Sequence, residues 1–262
     1  MPTPARTFVS IDWDYFIPER LEWDMGHQET SFHLNQLWSM RSHLFKVMRT
    51  TGQEVGFWNR LPFKLRMHDT VTVTDSHLHV TQDYRLNHAQ HLVLVDRHHD
   101  VFTDHANGFK IDCGNWVRWW LDCAKGRTVT WVRPNDDQVH CSVPKHLQRR
   151  VKTVREIPQI ESPVGVHVCR SGCWTPPWLD AAFIRFVKAS DARLYCVEDP
   201  KWCDPMKLRF SLANYRALVV NERAREAARK AFADIRGKKA AIIEHDSVPL
   251  VDKLPSAQAP RG

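Results

Sequence analysis

The sequence predicts an α/β domain with a mostly parallel sheet, in a three-layer α/β/α arrangement. Short apolar runs rich in β-branched residues recur along the chain. Longer helical patterns lie between many of them, and alternating strands and helices favour parallel pairing. Most of the runs end on acidic or polar residues, and ligands of such sheets bind beyond the carboxyl ends of the strands.

The first run, Phe8–Ile11, ends at Asp12. A helical pattern over Ser31–Thr50 follows, with Phe32, Leu34, Leu37, Leu44, Phe45 and Met48 at apolar positions. Thr70–Val73 runs towards Asp75, His91–Val95 into Asp96, and Thr128–Val132 into Arg133. Asn115–Ala124 is a second helical pattern. Val164–Val168 leads to Arg170, and Thr175–Ala189 is a third helical pattern. Arg193–Val197 ends at Glu198. An Ala-rich, charged helix is predicted over Asn221–Arg236, closed by Gly237. A last strand, Ala240–Ile243, ends at Glu244. A single domain is expected over residues 1–254, with a disordered tail at 255–262.

Composition narrows the function class. No apolar window is long enough for a membrane span, which needs roughly 18 residues. The start, MPTPARTFVSIDWDYF, lacks the apolar core of a signal peptide, so a cytoplasmic location is expected. The seven cysteines do not suggest a disulfide framework in a chain of 262 residues and are expected to be reduced and mostly buried. A net charge of +7 raises the question of nucleic acid. The basic residues are dispersed, however, with small clusters at 148–150 and 237–239, so nucleic acid is not the expected partner.

The acidic strand ends carry the chemistry. Asp96, His98 and Asp100 stand at i, i+2 and i+4, which on an extended segment places all three on one side. Asp12 and Asp14 share that spacing, and Asp75 is followed by His77 and His79. Carboxylate and imidazole together suit Mn²⁺, Fe²⁺ or Zn²⁺. Carboxylates gathered at one sheet edge repel one another, and a cation relieves that repulsion.

These motifs resemble the arginase/deacetylase superfamily. Asp96, His98 and Asp100 match its Asp-x-His-x-Asp strand end, and Ser10, Asp12, Asp14 and Pro18 match Ser-x-Asp-x-Asp-x-x-x-Pro. His77, after Asp75, matches the first metal-binding histidine. DSHLHV (Asp75–Val80), VLVDRHHDVF (Val93–Phe102), GNWV (Gly114–Val117) and the run Arg170–Pro177 are similar to the arginase-like family that includes the peptide arginases. Two departures stand out. The Asp12/Asp14 motif precedes the Asp-x-His-x-Asp motif, which implies a permuted order. Gly114-Asn115 is followed by Trp116, not by the histidine that shuttles protons in arginases.

The resemblance implies two divalent ions, Mn²⁺ first and Zn²⁺ or Fe²⁺ as alternatives. One would be held by His77, Asp96, Asp100 and Asp12, the other by His98, Asp96, Asp12 and Asp14. It implies hydrolysis of an arginine side chain of a peptide, or of a small guanidino substrate, to ornithine and urea by a hydroxide bridging the metals. Asp100 would bind the attacking water, and Glu244 would accept the guanidinium, with Glu198 and Asp199 in reserve. His99, His105 and His245 are candidate proton carriers. Arg170, Ser171 and Asn115 are candidate substrate contacts, and an acidic leader segment would complement the positive charge. Two other readings remain open: an amide hydrolase of deacetylase type, and a non-catalytic module that binds nucleic acid or protein.

Overall fold

A computed structural model describes residues 6–18, 38, 48–102, 111–135 and 141–197. The expected helix at Asn221–Arg236, the strand at Ala240–Ile243, Glu198, Asp199, Glu244, His105, His245 and the tail lie outside the described residues, as does most of the pattern at Ser31–Thr50.

Among the described residues seven strands form one sheet: β1 (Thr7–Asp12), β2 (Thr70–Thr74), β3 (His91–Val95), β4 (Thr128–Val132), β5 (Val151–Val154), β6 (Gly165–Cys169) and β7 (Arg193–Cys196). Their order is β5-β4-β3-β1-β6-β2-β7, and all six pairings are parallel. The α/β expectation holds in this coarse form. Parallel neighbours need crossover connections, and here the crossovers put β1 in the middle. The chain steps from β1 over one position to β2, returns to β3 on the other side of β1, and later threads β6 between β1 and β2. Every strand therefore delivers its carboxyl end to the same edge.

Side chains alternate across the sheet and feed two cores. Val9, Ile11, Val71, Val73, Val93, Val95, Val166 and Val168 belong to one. The nine-residue helix α4 (Asp180–Lys188) packs on that face through Phe183, Ile184, Phe186 and Val187. Phe8, Leu92, Leu94, Val129 and Trp131 belong to the other core, with Trp116, Val117, Trp120 and Leu121 of α3 (Trp116–Asp122). Two single-turn helices, α1 (Phe57–Arg60) and α2 (Tyr84–Asn87), complete the described helices. The middle of the second face is not apolar. Ser10, Thr72, Thr74 and His167 line up there across β1, β2 and β6, all buried.

Some elements differ from expectation. Strand β5 carries no apolar signature because it is a short edge strand whose middle residues, Lys152 and Thr153, face solvent. The helix expected from Thr175 begins only at Asp180. Pro176 and Pro177 hold the intervening segment in a 3-10 turn, consistent with the bias against α-helix before proline. Cys196 is disulfide-bonded, which corrects the expectation that all the cysteines are reduced. The other described cysteines are reduced, with Cys169 and Cys173 buried and Cys123 exposed. No helix among the described residues is long and apolar enough to cross a membrane.

Candidate metal centre

Three chain segments meet at the carboxyl edge of the sheet. Asp12 ends β1 and caps the 3-10 turn Trp13–Phe16, its Oδ1 accepting from the Asp14 N–H at 3.0 Å. Asp14 lies within that turn. His77 opens another 3-10 turn after β2, capped by Ser76. Asp96, His98 and Asp100 follow β3. Their segment is bent, not extended: Asp96 Oδ1 accepts from the His98 N–H at 2.8 Å, and Asp100 has φ 49°. The three side chains converge through this turn and a left-handed residue, rather than through strand alternation.

Two donor groups result. In the first, His77 Nδ1 lies 3.1 Å from Asp12 Oδ2, 3.2 Å from Asp96 Oδ2 and 3.1 Å from Asp100 Oδ2. In the second, His98 Nδ1 lies 3.0 Å from Asp14 Oδ2 and 3.9 Å from Asp96 Oδ1. Asp96 belongs to both. Cys169, at the end of β6, stands close enough to Asp12 and His77 to share a cation with them. The six residues expected as metal ligands are therefore all brought together, with Cys169 beside them.

Buried polar atoms are rarely left without hydrogen-bond partners. Here Asp14 Oδ1 and Oδ2, His77 Nδ1 and Asp96 Oδ2 have none, despite their short contacts. Carboxylate oxygens and a ring nitrogen that crowd one volume without hydrogen-bonding are arranged as ligands are. This donor set of carboxylates and imidazoles fits hard or borderline divalent cations.

The charges of the metal-free cluster are correspondingly perturbed. Burial, with the charge of Asp14, pushes the Asp12 carboxyl up to about 6. Burial and the charges of Asp100, Asp14 and Asp12 hold Asp96 well above the carboxylate range. Burial opposes protonation of His98, but contact with Asp14 and the charges of Asp96 and Asp100 outweigh it and push the ring up to about 10. Contacts with Asp100, Asp12 and Asp96 likewise outweigh burial and raise His77. In the metal-free cluster these shifts favour the protonated forms of Asp12, Asp96, His77 and His98, while the charge of His98 helps hold Asp14 below the carboxylate range.

The surroundings fix the ligands. Trp116 Nε1 donates to Asp100 Oδ2 at 2.7 Å, and its ring lies 4.8 Å from that of His77. Trp174 lies 4.8 Å from the His98 ring. The His98 side chain is 17% exposed, against 1–5% for His77, Asp12, Asp14, Asp96 and Asp100, so the second group faces solvent and the first is sealed.

Other expected site residues are engaged elsewhere. Both ring nitrogens of His99 meet backbone groups: Nδ1 accepts from the Val101 N–H and Nε2 contacts the Ser142 carbonyl. Arg170 is buried, donating through Nε to Asp180 at 2.6 Å and through Nη1 to Asp75 at 2.9 Å. Its guanidinium joins the loop after β2 to α4. Ser171, with φ 57°, donates its N–H to the Asp75 carbonyl and closes the same junction. Asn115 precedes α3 and is buried, its Oδ1 accepting from the Asp112 N–H at 2.9 Å.

His167, the Trp116 indole donor and Cys169 join the site although no motif in the sequence marks them for it. The one available signal was the polar residue alternating with valines in Val164–Val168, which places His167 on the same sheet face as Ser10. No protein-family model, curated protein or solved structure matches the chain.

Proposed function

We propose that this protein is a binuclear-metal hydrolase of arginase type on a three-layer α/β/α fold, acting on a guanidinium group, with an arginine side chain in a peptide as the narrowest reading. The observation that carries it is the pair of donor groups joined by Asp96, with His77 Nδ1 facing three carboxylate oxygens in hydrogen-bond geometry to none of them.

His77, Asp12, Asp96 and Asp100 would hold one ion, and His98, Asp14, Asp96 and Asp12 the other. Two bound ions would supply the charge that lets a water ionise near neutral pH and that stabilises an oxyanion. The protein's own part is to hold these ligands rigid and dry. Trp116 clamps Asp100, backbone N–H groups fix Asp12 and Asp96, and the buried first group excludes solvent. The exposed side of His98, beside Trp174, is the side open to substrate. Glu244 remains the proposed guanidinium acceptor. With both His99 ring nitrogens in contact with the backbone, His105 and His245 are the proposed proton carriers.

The test joins metal analysis to product assays on the full chain. Purification with Mn²⁺ should give about two ions per chain, with urea released from arginine-containing peptides. Urea from free arginine alone would overturn the peptide substrate. Acetate from acylated amines without urea would favour the deacetylase-type alternative. No bound metal and no product would leave a non-catalytic binding module.

A further inference from the structure

We propose that Ser10, His167 and Thr74 form a one-way hydrogen-bonded relay that fixes a hydrogen on His77 Nε2 and so reserves Nδ1 as the atom facing the carboxylates. Only the use of Nδ1 for a cation rests on the metal-centre reading.

The direction follows from the far end. Thr74 Oγ1 donates to the Ser76 carbonyl at 2.8 Å. A hydroxyl has one hydrogen, so towards His167 Nε2, 2.9 Å away, Thr74 can only accept. His167 therefore carries its hydrogen on Nε2. A second hydrogen would make it a cation at 0% exposure, and no described carboxylate forms an ion pair with it. His167 Nδ1 is therefore bare and accepts from Ser10 Oγ at 2.8 Å. Ser10 has then spent its hydrogen, so His77 Nε2, 2.8 Å away, must donate to it. Nε2 keeps this hydrogen whether Nδ1 binds a proton or a cation.

The relay crosses three strands. Ser10 lies on β1, His167 on β6 and Thr74 on β2, and the register pairs Ser10 with His167 and Thr74 with Cys169. It supplies the buried polar stripe of the second sheet face with a function. Ser10, His167 and Thr74 are positioning residues, because they act on the site only through His77.

The test uses the full chain labelled with ¹⁵N-histidine. Long-range ¹H–¹⁵N spectra are recorded in chelator and with diamagnetic Zn²⁺, and rings are assigned with His77→Asn and His167→Gln. His167 should be protonated on Nε2 alone, and His77 should hold an Nε2 proton in both conditions. A proton on His167 Nδ1, or a bare His77 Nε2, overturns the relay. Ser10→Ala and His167→Leu should each weaken Zn²⁺ binding about 10–100-fold by calorimetry, the usual cost of losing a group that orients a metal ligand. His167→Gln, which keeps a donor for Thr74 and an acceptor for Ser10, should recover most of it. Unchanged affinity in both disruptive variants also overturns the relay. Wild-type protein with these tautomers but no affinity for Zn²⁺ or Mn²⁺ would support the relay and sink the metal-centre reading.

Discussion

Asp96 lends Oδ2 to the His77 side of the cluster and Oδ1 to the His98 side. Replacing it by Asn should have opposite effects with and without metal. Without metal, one buried carboxylate is removed from among three others, and the variant should be more stable by about 1 kcal/mol, roughly 2–4 °C in Tm for a domain of this size. With Mn²⁺, the gain in Tm shown by the wild type should shrink sharply. Calorimetric melts in chelator and in Mn²⁺ check both signs. The pH dependence is also signed. Asp12 is pushed up to about 6, above its ordinary 3.8, so the fold favours its protonated form. That stability is fully present below about 4 and is lost as pH rises through about 6. In chelator, the Tm of wild type relative to Asp12→Asn should fall across that window. A flat difference would argue that Asp12 is not buried among carboxylates. The spacing of Asp96, His98 and Asp100 was legible in the sequence. The turn that makes them converge was not, because a left-handed backbone at a non-glycine residue such as Asp100 is paid for by its surroundings.

Strand β6 shows how an element is constrained by its neighbours. Phe8 on β1 stands opposite Gly165, and a Cβ there would meet the Phe8 ring at 2.7 Å and Arg85 Nε at 3.0 Å. Gly165→Ala should cost about 1–3 kcal/mol through overpacking, read as a lower denaturant midpoint. Helix α3 couples to the site at Asp100, through the Trp116 indole to the carboxylate and through the Val117 and Arg118 N–H groups to the carbonyl. Trp116→Phe keeps the ring packing but removes the donor to Asp100, and should weaken metal binding about 10-fold or more with little change in the far-ultraviolet circular dichroism. Because the first donor group is sealed and the second open at His98, chelator should remove metal in two phases, with the faster one lost in His98→Asn. Single-phase release would count against unequal access. Apolar strands such as β3 are legible because both their faces are buried. Edge strand β5 is not, because burial never selected its middle residues.

The net charge of the whole chain and the charge gathered at the cluster are opposite in sign. The chain carries +7, whereas four carboxylates crowd the carboxyl edge of β1 and β3. Metal loading should therefore stabilise the entire fold, by about 2.7 kcal/mol at free metal 100-fold above Kd. The acidic segment proposed for the substrate should bind more weakly as salt rises, since its attraction to a chain of net charge +7 is screened. The sequence by itself determined six of the seven described strands, the alternation that sorts side chains between two faces, and the short spacings that present carboxylates and imidazoles at strand ends. These are local properties of the backbone period. Only the tertiary structure decided that β1 lies between β3 and β6, that His77 from β2 reaches Asp12, and that His167 stands between Ser10 and Thr74. Those contacts join residues 65 or more positions apart, and which parallel strands become neighbours is settled by packing both faces of one sheet, which no local window of sequence contains.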